Sequence, residues 1–250
     1  VTSVARSLLA VLNEAADAVA AALSLIDDWG PSGTRVDQYL SDLVADEAAL
    51  AVLDRAGLGA LSEESGVSWG DRDVVVVLDP LDGSTNASRG VPWFATSLCA
   101  IDSSGPIAAV VVNLADGTRY DAVAGEGARR DGVLIRPSTC ERVDDSIIGL
   151  SGYPPRRFGW KQYRCLGAAA LDLCAVASGV LDGFVDCAPD AHAPWDYLGG
   201  VLVCREAGAI VADAFDRELV MTDYAARRTP VAAGTGALMA ALLSARRDFA

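Results

Sequence analysis

The sequence predicts a layered protein. An α+β half, residues 1–145, precedes an α/β half, residues 146–250, that completes a cleft against it. Two observations carry this prediction. Helical periodicity near the start gives way to closely spaced strands, and after about residue 145 strands and helices alternate. The composition permits it, since 250 residues at 52% hydrophobic and 22% charged supply a sizeable core and exclude a disordered chain.

The first element is a helix over about Ser3–Asp28, where Leu8, Leu12, Ala15, Val19, Leu23 and Ile26 recur at steps of three and four. Gly30-Pro31-Ser32-Gly33 breaks it. A second helix spans about Leu40–Ala56, with Leu43, Leu50 and Leu53 on its apolar side, and Gly57 and Gly59 end it. Val74–Leu78 is a short β-branched run of the kind that forms a buried strand. Strands follow near 94–101, 106–113, 118–124 and 132–136, separated by Asp- and Gly-rich turns, and their close spacing predicts an antiparallel sheet. The second half reads as a strand at Ile147–Leu150, a helix near 167–179 and a strand near Gly183–Asp186. A helix near 196–207, strands at 209–213 and 230–233, and a closing helix complete it.

The net charge of −14, 34 acids against 20 bases, argues against a nucleic-acid partner, because phosphate backbones are gripped by Lys and Arg. An anionic small molecule then needs local positive charge, which metal ions supply. The six cysteines form no C-x-x-C pair and His192 is the single histidine, so a Cys/His zinc site has little support. Most of these cysteines lie in apolar runs and read as buried free thiols of a reducing compartment. No stretch has membrane-spanning length and no secretion signal opens the chain, so the expectation is a soluble cytoplasmic protein without a membrane partner. The first residue is Val1 rather than Met, and a few residues are expected to be missing before it.

The strongest local signal is Asp79-Pro80-Leu81-Asp82-Gly83-Ser84-Thr85-Asn86, directly after the valine strand. Pro80 has no N–H for a ladder bond, so the chain is expected to turn and aim Asp79 and Asp82 into one pocket. Two carboxylates that close repel unless a cation lies between them, and hard divalent cations with oxygen ligands fit. Gly83 allows close backbone approach, and Ser84, Thr85 and Asn86 suit a helix start whose free N–H groups face an anion. Glu63-Glu64 lies on a loop upstream, where solvated glutamates are ordinary. Downstream, Trp195-Asp196-Tyr197-Leu198-Gly199-Gly200 enters a helix, and Asp196 reads equally as a charge at a helix N-terminus and as a ligand. His192 reads as a structural or rim residue. Arg156, Arg157 and Lys161 either attract an anion or solvate a loop.

Together these segments resemble the inositol monophosphatase family of metal-dependent sugar-phosphate phosphatases. D-P-L-D-G-S-T-N and W-D-Y-L-G-G…E-A-G match its two hallmark motifs, in order, with the Glu63-Glu64 pair upstream. The resemblance runs from about Thr34 to Gly236 and includes Gly125-Glu126-Gly127-Ala128 and Leu166-Gly167-Ala168-Ala169-Ala170-Leu171. It implies an alternating α-β-α-β-α sandwich, the sugar phosphatase fold. It also implies two or three Mg²⁺ per active site. Glu63, Asp79 and the Leu81 carbonyl would bind one; Asp79, Asp82 and Asp196 would hold a second. Glu64 and Asp42 would lie in the outer shell and assist Ser84, which orients the attacking water. Backbone N–H groups of Gly83 and Ser84 would cradle the phosphate, with Thr85 beside them. The acid that contacts substrate hydroxyls would be Asp186 or Asp190, with Asp186 preferred. Ala168 stands where many members carry Ser or Thr, the Thr of T-x-x-D is absent before Asp42, and Arg35 is a loose substitute for a family Lys.

The resulting expectation is a Mg²⁺-dependent phosphomonoesterase acting on inositol monophosphate or a related polyol or sugar phosphate, working as a homodimer. Fructose-1,6-bisphosphatase, histidinol-phosphatase and adenosine bisphosphate phosphatase activities use the same chemistry. A non-catalytic metal- or phosphate-binding regulator is the alternative from another class.

Overall fold

The computed structural model describes residues 2–36 and 38–249. Its first helix, α1 (Thr2–Leu23), buries Ala5, Leu8, Leu12, Ala15, Ala16, Val19 and Leu23. It stops short of the expected Asp28. Ser24 donates its hydroxyl to the Ala21 carbonyl at 2.7 Å, a local bond that competes with further helix. Helix α2 (Leu40–Arg55) lies beside it.

Both helices cover one face of an eight-stranded sheet. Its strands are β1 (Gly59–Ser62), β2 (Gly66–Ser68), β3 (Val75–Asp82), β4 (Ala95–Asp102), β5 (Gly105–Asn113), β6 (Arg119–Val123), β7 (Ala128–Arg130) and β8 (Val133–Leu134), in the order β2-β1-β3-β4-β5-β6-β7-β8. The sheet is antiparallel as expected, except that β1 pairs parallel with β3. The expected strand at 132–136 shortens to β8, and it pairs with β7, a strand not expected from the sequence, across a tight turn in which Asp131 (φ 50°) and Gly132 (φ 77°) both take the left-handed conformation. Helix α3 (Ser84–Arg89) begins where the octet predicts.

Alternate residues of the central strands face opposite ways. Val76, Leu78, Leu98, Ala100, Ala108 and Val110 pack on α1 and α2. Val77, Cys99, Ile101, Ala109 and Val111 pack on two further helices, α4 (Ala169–Ala177) and α5 (Pro194–Ala207). These helices meet a second sheet of β9 (Ile147–Ser151), β10 (Gln162–Arg164), β11 (Gly183–Asp186), β12 (Ile210–Asp213) and β13 (Pro230–Ala233), in the order β10-β9-β11-β13-β12. Its far face buries Ile148, Leu150, Val185 and Val231 against Leu238, Met239 and Leu242 of α6 (Gly236–Arg247). The layers therefore run α1/α2, first sheet, α4/α5, second sheet, α6, which is the α-β-α-β-α sandwich. Close contact in the central layer depends on glycine: a Cβ on Gly200 would lie 2.6 Å from Leu173 Cβ, and one on Gly199 2.5 Å from Ser97 Oγ.

Candidate active site

Strand β3 carries the site. Pro80 does not end it, contrary to the expected turn. The strand continues to Asp82 through a register irregularity between Asp79 and Asp82, where the missing Pro N–H forfeits no ladder bond. Asp79 lies 2% exposed, and its Oδ1 accepts the Leu81 N–H at 3.0 Å. Asp82 Oδ2 accepts the Ala170 N–H at 2.8 Å, so it also satisfies an otherwise free donor in the first turn of α4. Gly83 turns the chain into α3 at φ 84°, and a Cβ there would sit 3.0 Å from the Gly167 carbonyl oxygen. Asn86 fastens the turn, donating from Nδ2 to the Trp93 and Leu166 carbonyls at 2.7 Å each.

Glu63 enters from the end of β1. Asp196 enters from the first turn of α5, where its Oδ2 accepts the Ala193 N–H at 2.7 Å. Asp196 therefore satisfies the helix start and also faces the cavity. Carboxylate oxygens of Glu63, Asp79 and Asp196 lie within 4.8 Å of one another. Asp82 lines the same cavity, outside that tight trio. The cavity has a volume of about 370 Å³, and among the described residues His192 is the only base on its walls. Ser84, Gly83 and Leu81 also line it.

The electrostatics follow from burial and from the mutual repulsion of the acids, which His192 offsets only in part. Burial first, then the charge of Asp196, pushes Glu63 up to about 8. Burial and Asp196 push Asp82 up to about 7. Asp79 is raised well above the carboxylate range by burial and then Glu63, and Asp196 is raised by burial. Four acids in this state cannot all ionise near neutrality unless cations join them. Their oxygen-only donor set and spacing fit a hard divalent ion such as Mg²⁺.

Asp42 and Glu64 lie off the cavity wall. Asp42 is 4% exposed; its Oδ2 accepts the Tyr39 N–H at 2.7 Å, while its buried Oδ1 has no hydrogen-bond partner among the described residues. Burial raises it to about 7, against the Tyr39 bond. Glu64 is paired with Arg35 and accepts from Gln38 Nε2.

Two expected substrate contacts need correction. Thr85 is exposed and lies off the cavity wall, its hydroxyl 3.2 Å from that of Tyr39, because the first turn of α3 rotates it away. Asp186 is fully buried at the end of β11, a strand flanked by β9 and β13. Its Oδ1 accepts the Ala188 N–H at 3.0 Å and its Oδ2 meets His192 Nδ1 at 2.8 Å, so a ligand cannot reach it. The alternative, Asp190, is ion-paired with Arg217 at 2.7 Å and lies off the cavity wall.

The wall position belongs to His192, which sequence reasoning assigned to a structural or rim role. Ser151 and Asp172 also line the cavity and were missed. Trp93 Nε1 donates to the buried Asp172 at 3.0 Å. Arg156, Arg157 and Lys161 line a separate cavity with Trp160 and Tyr163.

Comparison with known proteins agrees with this geometry. The model of the inositol monophosphatase family matches residues 32–249. A fructose-1,6-bisphosphatase/inositol-1-monophosphatase of Archaeoglobus fulgidus is 37% identical over 75% of both chains. The Nus factor SuhB of Escherichia coli is 34% identical over 84% of this chain and 80% of its own. Among solved structures, an inositol monophosphatase from Anabaena superposes with a TM-score of 0.80 at 26% identity, covering 97% of this chain and 96% of that one.

Proposed function

The chain belongs to the inositol monophosphatase family, and from that premise we propose that it hydrolyses a small polyol or sugar monophosphate in a Mg²⁺-dependent reaction. Metal-dependent sugar-phosphate hydrolysis is the chemistry of the family, and this chain is a phosphatase of that class. The observation that carries the proposal is the trio Glu63, Asp79 and Asp196, its oxygens within 4.8 Å in a cavity that no Lys or Arg among the described residues lines.

Glu63, Asp79 and the Leu81 carbonyl would hold one ion, and Asp79, Asp82 and Asp196 a second. Ions bound there neutralise phosphate charge and acidify water, which is what phosphomonoester hydrolysis requires. The residues of this chain do the rest. Gly83 and Ser84 present N–H groups to the phosphate. The Ser84 hydroxyl orients the attacking water. Asp42, held near 7 with a free buried Oδ1, receives the proton through Ser84, and Glu64 keeps the surrounding charge in place through Arg35. Attack on phosphorus breaks the ester P–O bond and releases the alcohol and inorganic phosphate.

Comparison of kcat/KM over a panel tests the substrate reading. Inositol 1-phosphate, fructose 1,6-bisphosphate, histidinol phosphate and adenosine 3′,5′-bisphosphate would each be assayed with Mg²⁺. We expect inositol 1-phosphate to lead, and absence of phosphate release from every compound contradicts the enzyme. A relative named Nus factor favours a second reading, a regulator that retains the fold. Turnover of any panel member discriminates against it as the sole role. The working unit we infer is a homodimer, for which light scattering should return twice the 25.9 kDa chain mass. Six free cysteines, four of them buried, support a reducing, cytoplasmic setting. Among the described residues no helix is long and apolar enough to cross a membrane.

A further inference from the structure

We propose that His192, locked by Asp186 and assisted by Ser151, is the specificity element that takes a hydroxyl of the substrate's polyol portion. The inference rests on the phosphatase reading and names the substrate class for the same cavity.

Three observations support it. First, the acids that would manage the phosphate leave one wall to different chemistry. Ser151 comes from the end of β9 and His192 from the segment after β11, both of the second sheet, and both line the cavity. Second, the imidazole is fixed. Nδ1 meets Asp186 Oδ2 at 2.8 Å, and Asp186 is held in turn by the Ala188 N–H. The His192 backbone pairs with Arg228 on both sides, N–H to carbonyl at 3.2 Å and carbonyl to N–H at 2.7 Å. Phe184 stacks edge-on at 6.4 Å. A ring restrained on every side loses little freedom when it binds. Third, its other nitrogen retains capacity. Nε2 stands 3.5 Å from Ser151 Oγ, a long contact that leaves both groups able to bond a ligand oxygen lying against them.

The pair suits a neutral hydroxyl better than a second phosphate. A phosphate dianion calls for several charged donors, and among the described residues His192 is the only base on the cavity wall. A hydroxyl both donates and accepts, so it matches an imidazole nitrogen beside a serine in either protonation state. Asp186 acts through the ring without touching the ligand and is a positioning residue.

The test compares inositol 1-phosphate with p-nitrophenyl phosphate, which carries the phosphate without polyol hydroxyls. His192→Gln should lower the ratio of kcat/KM for inositol 1-phosphate to that for p-nitrophenyl phosphate at least about tenfold, chiefly through KM. Asp186→Asn should reproduce that KM-led loss. Ser151→Ala, which alters only a side chain at the cavity wall, should lower the ratio about threefold and keeps the proposal testable if the buried pair tolerates no change. An unchanged ratio in His192→Gln and Ser151→Ala overturns the proposal, as does an equal loss on both substrates. Calorimetric Kd values for inositol 1-phosphate and phenyl phosphate, measured on the same variants with Mg²⁺ withheld, give the same ratio without turnover. They decide the hydroxyl contact even if the wild type releases no phosphate, an outcome that would defeat the phosphatase reading alone.

Discussion

Replacing Asp82 by Asn should abolish phosphatase activity and leave the fold intact, with kcat expected to fall at least about 10²–10³-fold. The fold survives because the amide oxygen of Asn can still accept the Ala170 N–H that Asp82 Oδ2 accepts at 2.8 Å. The charge does not survive. Asp82 is half-buried beside Asp196, and its ionised form is the one that a divalent cation would require. Steady-state assay of the variant, with its circular dichroism and melting curve, checks both halves. Retained turnover refutes the role given to Asp82, and loss of the folded spectrum refutes the structural half.

The sequence revealed this residue through its neighbours. Five consecutive β-branched and apolar residues, Val74–Leu78, announce a buried strand, and Pro80 and Gly83 mark an irregular exit from it. Glu63 was less visible. Its strand, Gly59-Ala60-Leu61-Ser62, contains no β-branched residue and is held by parallel pairing with β3, a non-local contact that local propensity does not report. Asp196 looked like an ordinary charge in a helix's first turn, which it is, and only the fold shows its second direction. Resemblance to a family therefore supplied what local reading could not for these two.

The polar wall was hidden for another reason. Asp186 and His192 are six residues apart, and the loop between them reverses through Asp190 at φ 52°. A strand-end acid paired with a loop histidine has no periodic signature. Sequence reasoning thus placed the acid at the ligand, whereas the structure puts the acid behind the histidine. Layer order came with the family resemblance, and the near-continuous apolar runs of β3, β4 and β5 fit it, since they bury both faces of that sheet.

The same raised acids predict how stability responds to pH and metal. A carboxyl whose folded pKa exceeds its unfolded value stabilises the fold fully below the unfolded value, and that contribution is lost as pH rises through the folded one. For Glu63 the window runs from 4.5 to about 8, and for Asp82 from 3.8 to about 7. Asp42 has the same sign, from 3.8 to about 7. The metal-free protein should therefore lose stability between pH 5 and pH 8, where neighbouring acids are forced to ionise together. A cation that binds the ionised cluster reverses this, because it binds the folded state at the charge the pH creates.

Scanning calorimetry of EDTA-treated protein at pH 5 and pH 8, with and without millimolar Mg²⁺, measures this directly. The expected melting temperature of the metal-free protein is lower at pH 8 by roughly 5–10 °C. Mg²⁺ should restore most of that loss at pH 8 and change little at pH 5, and Asp79→Asn should remove the Mg²⁺ response. A metal-free protein as stable at pH 8 as at pH 5, with no Mg²⁺ response at either, would contradict the assignment of Glu63, Asp79, Asp82 and Asp196 to a metal site.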